Sequence, residues 1–575
     1  MGQSRHRQTT EGILPLILLP LTALLITLPL ILYGCSCGHD FDFHLQSWLD
    51  AAQQLRHGTL YPHWAFSAAY NAGEPRFIFY PPLSWMLGAL LTILFPITAA
   101  PAIYTWIALT AAGFAMHHLA RQYTSPNAAI FAAALYMANP YMLFNAFERT
   151  AYAELLAAAW IPLLLLAALR ERPTVRGIAI PVALLWLTNA PAAVMGCYML
   201  ALLGILRLIA SLRTSRETVQ PEALKPSRLL LTTVAGTALG LALPAFYLLP
   251  AAYERLYVQI AMAIIPNMRF EDNFLFAHTV DSAHNAVLHT ASLLALVLLL
   301  LTAGAVAALF FRSRRKHAPT LAVLTLAIAF LLVPISTPLW RHLPDLAFLQ
   351  FPWRLLTILS AVLSFAIALL LPRAENIRKP MLITAPICAL ALSLLGITLY
   401  RQPCDDTDLP AAMASLFNTH HGVAPTDEYT PNGADNDVLR SNDPGYWLTT
   451  DPAGFAPGTL PNLGDTDPNF ADDLDPEQTV SAQAPHHLAL QLPQPETLIL
   501  NLRDFPDWRL TRNGSELPPH VQRDDGLLAV ALPAGASTLD IAWQYTLDQK
   551  LGLAITACAL ALLGLTFRRS RKIAD

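Results

Sequence analysis

Charge is scarce in this sequence. Asp, Glu, Lys and Arg make up 13% of its 575 residues, against 54% hydrophobic residues, where an ordinary soluble domain has roughly 25% charged residues. That shortage excludes a soluble globular protein. The central parts of its membrane-length apolar runs lack Asp, Glu, Lys and Arg altogether, which argues against an ion-coupled transporter with a charge network at the bilayer midplane. Cysteine is also sparse, with six residues in all. Cys197, Cys388 and Cys558 fall in apolar runs, where a thiol is usually a small core residue, so no disulfide scaffold is expected. Only Cys35, Cys37 and Cys404 fall near the ends of runs. Cys35-Ser36-Cys37-Gly38-His39 has no second Cys/His pair at zinc spacing, and no metal site is expected there. Leu32-Tyr33-Gly34-Cys35 resembles a lipoprotein cleavage box, but the preceding run is long for a cleaved signal and Tyr33 is bulky for that position.

Long apolar runs are what the chain does have. They cover 13–33, 80–97, 101–118, 127–147, 152–169, 177–189, 190–211, 229–250, 286–311, 319–337, 354–372, 380–399 and 549–567. Arg5 and Arg7 before the first run, and Arg568-Arg569-Ser570-Arg571-Lys572 after the last, predict cytoplasmic N- and C-termini and an even number of crossings. Leaving out 80–97 puts 22 Lys and Arg on the inner side against 7 on the outer loops of the membrane body. The expectation is therefore about 12 crossings plus a re-entrant or interfacial segment at 80–97, bounded by Pro81-Pro82 and Pro96. Three regions follow: a transmembrane body over 1–399 with a first outer loop at 34–100, an extracytoplasmic region over 400–548, and a final helix with a basic tail over 549–575. Residues 400–548 hold 23 of the 40 acids but only 6 of the 36 bases. Their first half is rich in Asp, Pro, Asn and Gly; after about 486 the runs His487–Leu492, Leu498–Leu502 and Leu527–Leu532 predict a small antiparallel β-sandwich. Trp508 is expected to anchor its core.

Ionisable residues beside a membrane are functional candidates. The first outer loop opens with Gly38-His39-Asp40-Phe41-Asp42-Phe43-His44 and continues through Gly58–Trp64 and Phe79-Tyr80-Pro81-Pro82, an aromatic stretch suited to a sugar or a lipid head group. Glu148, Arg149 and Glu154 follow on the second outer loop, and Gln350-Phe351-Pro352-Trp353-Arg354 on a later one. Each has a structural alternative: Asp40 and Asp42 as caps of the helix that follows, Arg149 with Glu154 as a plain ion pair, Arg354 as an interfacial anchor.

Taken together, Asp40 with His44, the Gly58–Trp64 loop, Phe79–Pro82, Arg149 with Glu154, Phe351–Arg354, Glu428-Tyr429-Thr430-Pro431 and Phe505–Gly514 resemble a bacterial polytopic family. It is labelled 6-pyruvoyl-tetrahydropterin synthase-related, and its layout is similar to the C-type (GT-C) lipid-sugar-dependent glycosyltransferases. The label is not matched by any histidine-bound zinc site of a soluble pterin synthase. The resemblance implies a GT-C-like helical membrane protein with an extracytoplasmic mainly-β domain, in a bacterial inner (plasma) membrane. Its donor would be a sugar on polyprenyl phosphate and its acceptor an envelope glycan, lipid or protein; no nucleic-acid partner is expected. Asp40 takes the place of the catalytic base. Asp42 is a second acid, and a divalent cation at Asp40/Asp42 is one role for the pair. Arg149 or Arg354 would face the phosphate, Glu154 would hold Arg149 or act as a further acid, and His44 and Tyr80 would contact substrate. Two other functions fit the same scaffold: a non-catalytic protein of envelope assembly, and a lipid or polysaccharide translocator.

Overall fold

The computed structural model describes residues 2–217, 225–312, 315–371, 378–459, 481–517 and 520–574. Parts of three basic loops expected inside, and the Asp-rich chain from 460 to 480, lie outside the described residues.

The protein is a helical multi-pass membrane protein with a separate β-sheet region. Among the described residues, seven helices are long and apolar enough to cross a bilayer, from Ile13–Tyr33 to Leu547–Phe567, and three bent pairs bring the number to ten when each is one span. The remaining runs of the sequence take other forms. The runs 127–147, 229–250 and 319–337 each break near a proline, at Pro140, Pro244 and Pro334, with bends of 40°, 75° and 93°. Proline has no N–H to donate to the preceding turn and starts a new helix instead. Val175–Thr188 is a short apolar helix of 14 residues, and Ala100–Arg121 does not enter the count, although it is long enough. The 80–97 segment forms a helix over Pro82–Leu94, whose 13 residues reach only about 20 Å, short of the ~30 Å hydrocarbon core.

Burial sorts these helices. Leu551, Leu553, Leu560, Leu562 and Leu565 on the last helix are exposed, as expected for a face turned to lipid. Tyr152–Leu169 and Pro352–Leu370 lie instead at the centre of the bundle, almost wholly enclosed. Any charge these two carry must therefore be paired within the protein.

The first loop folds back on the bundle. Its Phe41–Arg56 helix buries Phe41, Leu45, Trp48 and Ala52, and Trp48 stacks on Tyr104 with ring centres 5.2 Å apart. Asp50, on the same helix, accepts from the backbone N–H of Phe66 and Ser67 at 3.1 and 3.0 Å, which fixes the following loop. Cys37 is joined to Cys404, so the loop is stapled to the chain that leaves the Arg378–Tyr400 helix. Sequence spacing did not point to this bond, since its partners are 367 residues apart.

Seven antiparallel strands form two sheets. β1 (Tyr446–Thr449), β3 (Glu496–Arg503) and β6 (Leu527–Leu532) make one in the order β1-β3-β6; β2 (His487–Leu492), β7 (Gly535–Trp543), β4 (Trp508–Arg512) and β5 (Ser515–Glu516) make the other in the order β2-β7-β4-β5. Leu498, Leu500, Leu528 and Val530 face Leu510, Leu539 and Ile541 between the sheets. The far side of the first sheet is not left to solvent. Ile499, Leu527 and Ala529 pack there on Ala69, Tyr70 and Ala72 of the first loop, which explains why β3 reads as a continuous apolar run. Trp508 is 5% exposed and meets Trp64 and Trp543 at ring distances of 5.6 and 5.1 Å, so it anchors the sheets to the first loop.

Candidate functional site

Gly38 brings the two parts of the site together. A Cβ at this position would stand 2.0 Å from the Glu148 carbonyl oxygen, so only glycine lets the loop press against the turn that carries Arg149. Two residues later the Asp40 N–H donates to the Arg149 carbonyl at 3.0 Å. Asp40 occupies the N-cap position of the Phe41–Arg56 helix, but its side chain makes no capping hydrogen bond. Its carboxylate turns to Arg149, with Oδ2 at 3.5 Å from Nη2, and remains 41% exposed.

Behind this pair lies a buried charge group built from three separate segments. Glu154 Oε2 stands 2.7 Å from Arg149 Nη1 and 3.4 Å from Arg354 Nε, and its side chain is 2% exposed. Its other oxygen accepts from Tyr141 Oη at 2.8 Å, Asn145 Nδ2 at 3.3 Å and Thr357 Oγ1 at 3.3 Å. One carboxylate thus serves two guanidiniums, and the remaining positive charge is balanced only by the half-exposed Asp40. Burial disfavours the Arg149 cation, but Glu154 and then Asp40 outweigh it, so its pKa stands above the ordinary value. Both guanidiniums also lie against Phe351, at 5.7 Å for Arg149 and 4.9 Å for Arg354. Thr150 and Gln350, next to these elements, have φ of 47° and 60°. For a β-branched threonine this is a costly conformation, of the kind that gathers at functional sites.

Arg354 is hydrogen-bonded to one lining residue of each of two cavities. Its Nη1 donates to the Leu349 carbonyl at 2.9 Å and to Gln350 Oε1 at 3.3 Å. Gln350 lines a polar cavity of about 420 Å³ together with Asp42, Gln46, Arg76 and Glu428. Leu349 lines a mainly apolar groove of about 380 Å³ with Trp186, Leu241, Tyr247 and Phe348, where Arg255 and Asp345 also lie. Leu241 belongs as well to an apolar groove of about 450 Å³ along residues 197–208 and 229–241.

The residues expected from sequence are thus divided. Asp40, Arg149, Glu154 and Arg354 converge. Asp42 instead faces the polar cavity, as residues two positions apart at a helix start point to different sides. His44 is 1% exposed, enclosed by Tyr80 at 5.9 Å, Tyr152 at 5.3 Å and Trp48 at 6.3 Å, and its burial pushes its pKa down to about 4. Tyr80 packs on Phe43 at 5.0 Å, and burial followed by the Asp40 charge raises its phenol pKa. Sequence reasoning missed Tyr141, Asn145 and Thr357. It also missed Arg76, which pairs with Glu74 at 2.7 Å and donates to Ser47 and Thr426 at 3.0 and 3.2 Å, tying the first loop to Glu428-Tyr429. Burial raises the Glu428 carboxyl.

A cation shared by Asp40 and Asp42 does not fit this arrangement. The two carboxylates serve different spaces: Asp40 pairs with Arg149, and Asp42 lines the polar cavity. Among the described residues, the group of potential ligands lying close enough to hold a metal is Cys35, Cys37 and Cys404, and two of these are joined in the disulfide.

No family model matches the chain, and no curated protein matches it. Among solved structures it is similar to the arabinofuranosyltransferase AftD from Mycobacteria, at 14% identity and a TM-score of 0.41 over 94% of this chain. A mutant form of that protein gives 13% identity and a TM-score of 0.43, also over 94% of this chain. An oligosaccharyltransferase from Archaeoglobus fulgidus gives 17% identity and a TM-score of 0.35 over 68% of this chain. The chain spans 40%, 42% and 54% of these three proteins' lengths.

Proposed function

We propose that the protein is a membrane glycosyltransferase of GT-C type. It moves a sugar from a polyprenyl-phosphate carrier to a hydroxyl of a cell-envelope acceptor, on the extracytoplasmic face of a bacterial plasma membrane. The observation that carries the proposal is the place of Arg354, hydrogen-bonded to a residue of the apolar groove on one side and to a residue of the polar cavity on the other. A lipid phosphate has the two halves this setting suits. Its isoprenoid tail lies in the groove, and its phosphate meets guanidiniums whose planar fork pairs with phosphate oxygens.

In the reaction the bond between the anomeric carbon and the phosphate oxygen breaks, and a bond from the same carbon to the acceptor oxygen forms. The acceptor proton passes to Asp40, and polyprenyl phosphate leaves with its added negative charge facing Arg149 and Arg354. Glu154 keeps both arginines in place without cancelling them. Asp40 supports the role of base because its carboxylate is partly exposed and is not spent on capping its helix. No cation enters the proposal.

The test is transfer of labelled sugar from polyprenyl-phosphate donors to envelope material by the purified protein in lipid nanodiscs. Arg354→Lys keeps the charge but loses the fork, and is expected to lower transfer at least tenfold. Transfer at wild-type rate by Arg354→Lys, or none from any such donor by the wild type, overturns the proposal.

A further inference from the structure

A further cavity opens at the other end of the Phe41–Arg56 helix, in the seam between the first loop and the β-sheets. It holds about 500 Å³ and is walled by Tyr61, His63, Trp508, Trp543 and Tyr545, with Gln53, Gln54 and Gln483 among its polar groups. Its lining contains no Asp, Glu, Lys or Arg. His63 stacks on Trp543 at 5.5 Å and meets Tyr545 edge-on at 5.3 Å. Burial pushes the His63 pKa down to about 4, so the imidazole between these two rings is uncharged near neutral pH.

We propose that this cleft binds an uncharged glycan, the chain of the acceptor itself, at a distance from the reacting hydroxyl. The inference rests on the glycosyl-transfer reading above and adds the acceptor's class to it. The lining chemistry selects the ligand. Aromatic rings take the apolar C–H faces of sugar rings, while glutamine amides pair with hydroxyls. With no Asp, Glu, Lys or Arg among the described residues of the wall, whose basic groups are the imidazoles of His57, His63 and His486, the lining suits an uncharged ligand better than a phosphate, a uronate or a cation.

Geometry connects the cleft to the reaction. Asp42 and Gln46 line the polar cavity, and Gln53 and His57 line the cleft. These positions lie within about 60° of one another around the helix, on one face. From Asp42 to Gln53 the axis rises about 16 Å, a span for a chain of several sugars rather than a single residue. A disaccharide that fills the polar cavity does not reach the cleft.

The experiment measures binding without turnover. Wild-type protein in nanodiscs is titrated with neutral hexasaccharides of gluco, manno, galacto and arabino configuration, with an anionic uronate-containing hexasaccharide, with a neutral hexapeptide and with palmitate, using saturation-transfer NMR. At least one neutral hexasaccharide is expected to saturate, and Tyr545→Ala to weaken it at least fivefold. Tyr545 is 43% exposed, so this variant keeps its fold. Gln53→Ala gives a second, independent loss. Asp40→Asn is expected to bind as the wild type does. Failure of every neutral hexasaccharide, insensitivity to both cleft variants, or preference for the anion, the peptide or palmitate overturns the inference. Binding without any sugar transfer would instead leave the cleft standing and remove the transferase reading.

Discussion

Replacing Glu154 by Gln tests whether the buried charge group is built as described. Glutamine preserves the shape, and its carbonyl oxygen can still accept from Tyr141 and Thr357. The carboxylate oxygen that serves Arg149 at 2.7 Å and Arg354 at 3.4 Å becomes an amide N–H₂ facing two cations. Breaking one buried pair by removing a partner costs about 3–5 kcal/mol, and here both arginines lose their shared acid in an almost fully enclosed site. Against a total stability on the order of 5–15 kcal/mol, that is a large fraction. The assay is thermal or denaturant unfolding in nanodiscs, with the protein level in membranes as a second readout. Arg354→Met added to Glu154→Gln removes the excess charge and is expected to restore about 1–3 kcal/mol, a coupling of the size measured between residues in contact. A loss below about 1 kcal/mol in the single variant, or strict additivity in the double, would refute the shared-acid arrangement.

Three further outcomes are expected. His44 has its pKa depressed in the folded state to about 4, below an unfolded value near 6.5, so the unfolded chain binds more protons between these values. Its contribution is complete above pH 6.5 and declines as pH falls toward 4, by up to about 1.4 kcal/mol per pH unit. Unfolding measured across this window should show a shallower loss in His44→Phe, and an unchanged slope contradicts the assignment. Since Asp40 and Asp42 serve different spaces, EDTA is expected to leave sugar transfer within about twofold of its starting rate; a loss that magnesium or manganese restores would return the cation to the site. Single cysteines near residues 78 and 99 are expected to be labelled from the same side of the membrane, because Pro82–Leu94 is too short to cross upright. Labelling from opposite sides refutes this.

The four residues that converge were legible as candidates because each is a charge at the edge of an apolar run, where a charge is costly without a task. Their arrangement was not legible. Glu154 and Arg354 are 200 positions apart, and nothing local reveals that one acid serves two arginines. Tyr141, Asn145 and Thr357 lie inside or beside apolar helices and read as ordinary polar residues there. Asp40 was correctly placed at a helix start, yet its side chain does not do what that position usually implies. The β-sheets were visible from the alternating runs after 486, whereas β1 was hidden in a stretch whose Asp, Pro and Gly content reads as loop. The proline bends that divide three of the apolar runs were not legible, because a hydropathy run records composition and not the break within it.

The central claim is that Asp40 takes the acceptor's proton, and Asp40→Asn measures it most directly. Asparagine keeps the size and the backbone hydrogen bond to Arg149. The side chain it replaces is 41% exposed and makes no capping bond, so insertion should match wild type, with a modest loss of stability from the missing charge beside Arg149. Transfer of labelled sugar from a polyprenyl-phosphate donor, at matched protein level, is predicted to fall about 10²- to 10⁴-fold, the usual contribution of a general base. Transfer by Asp40→Asn at the wild-type rate would contradict the account.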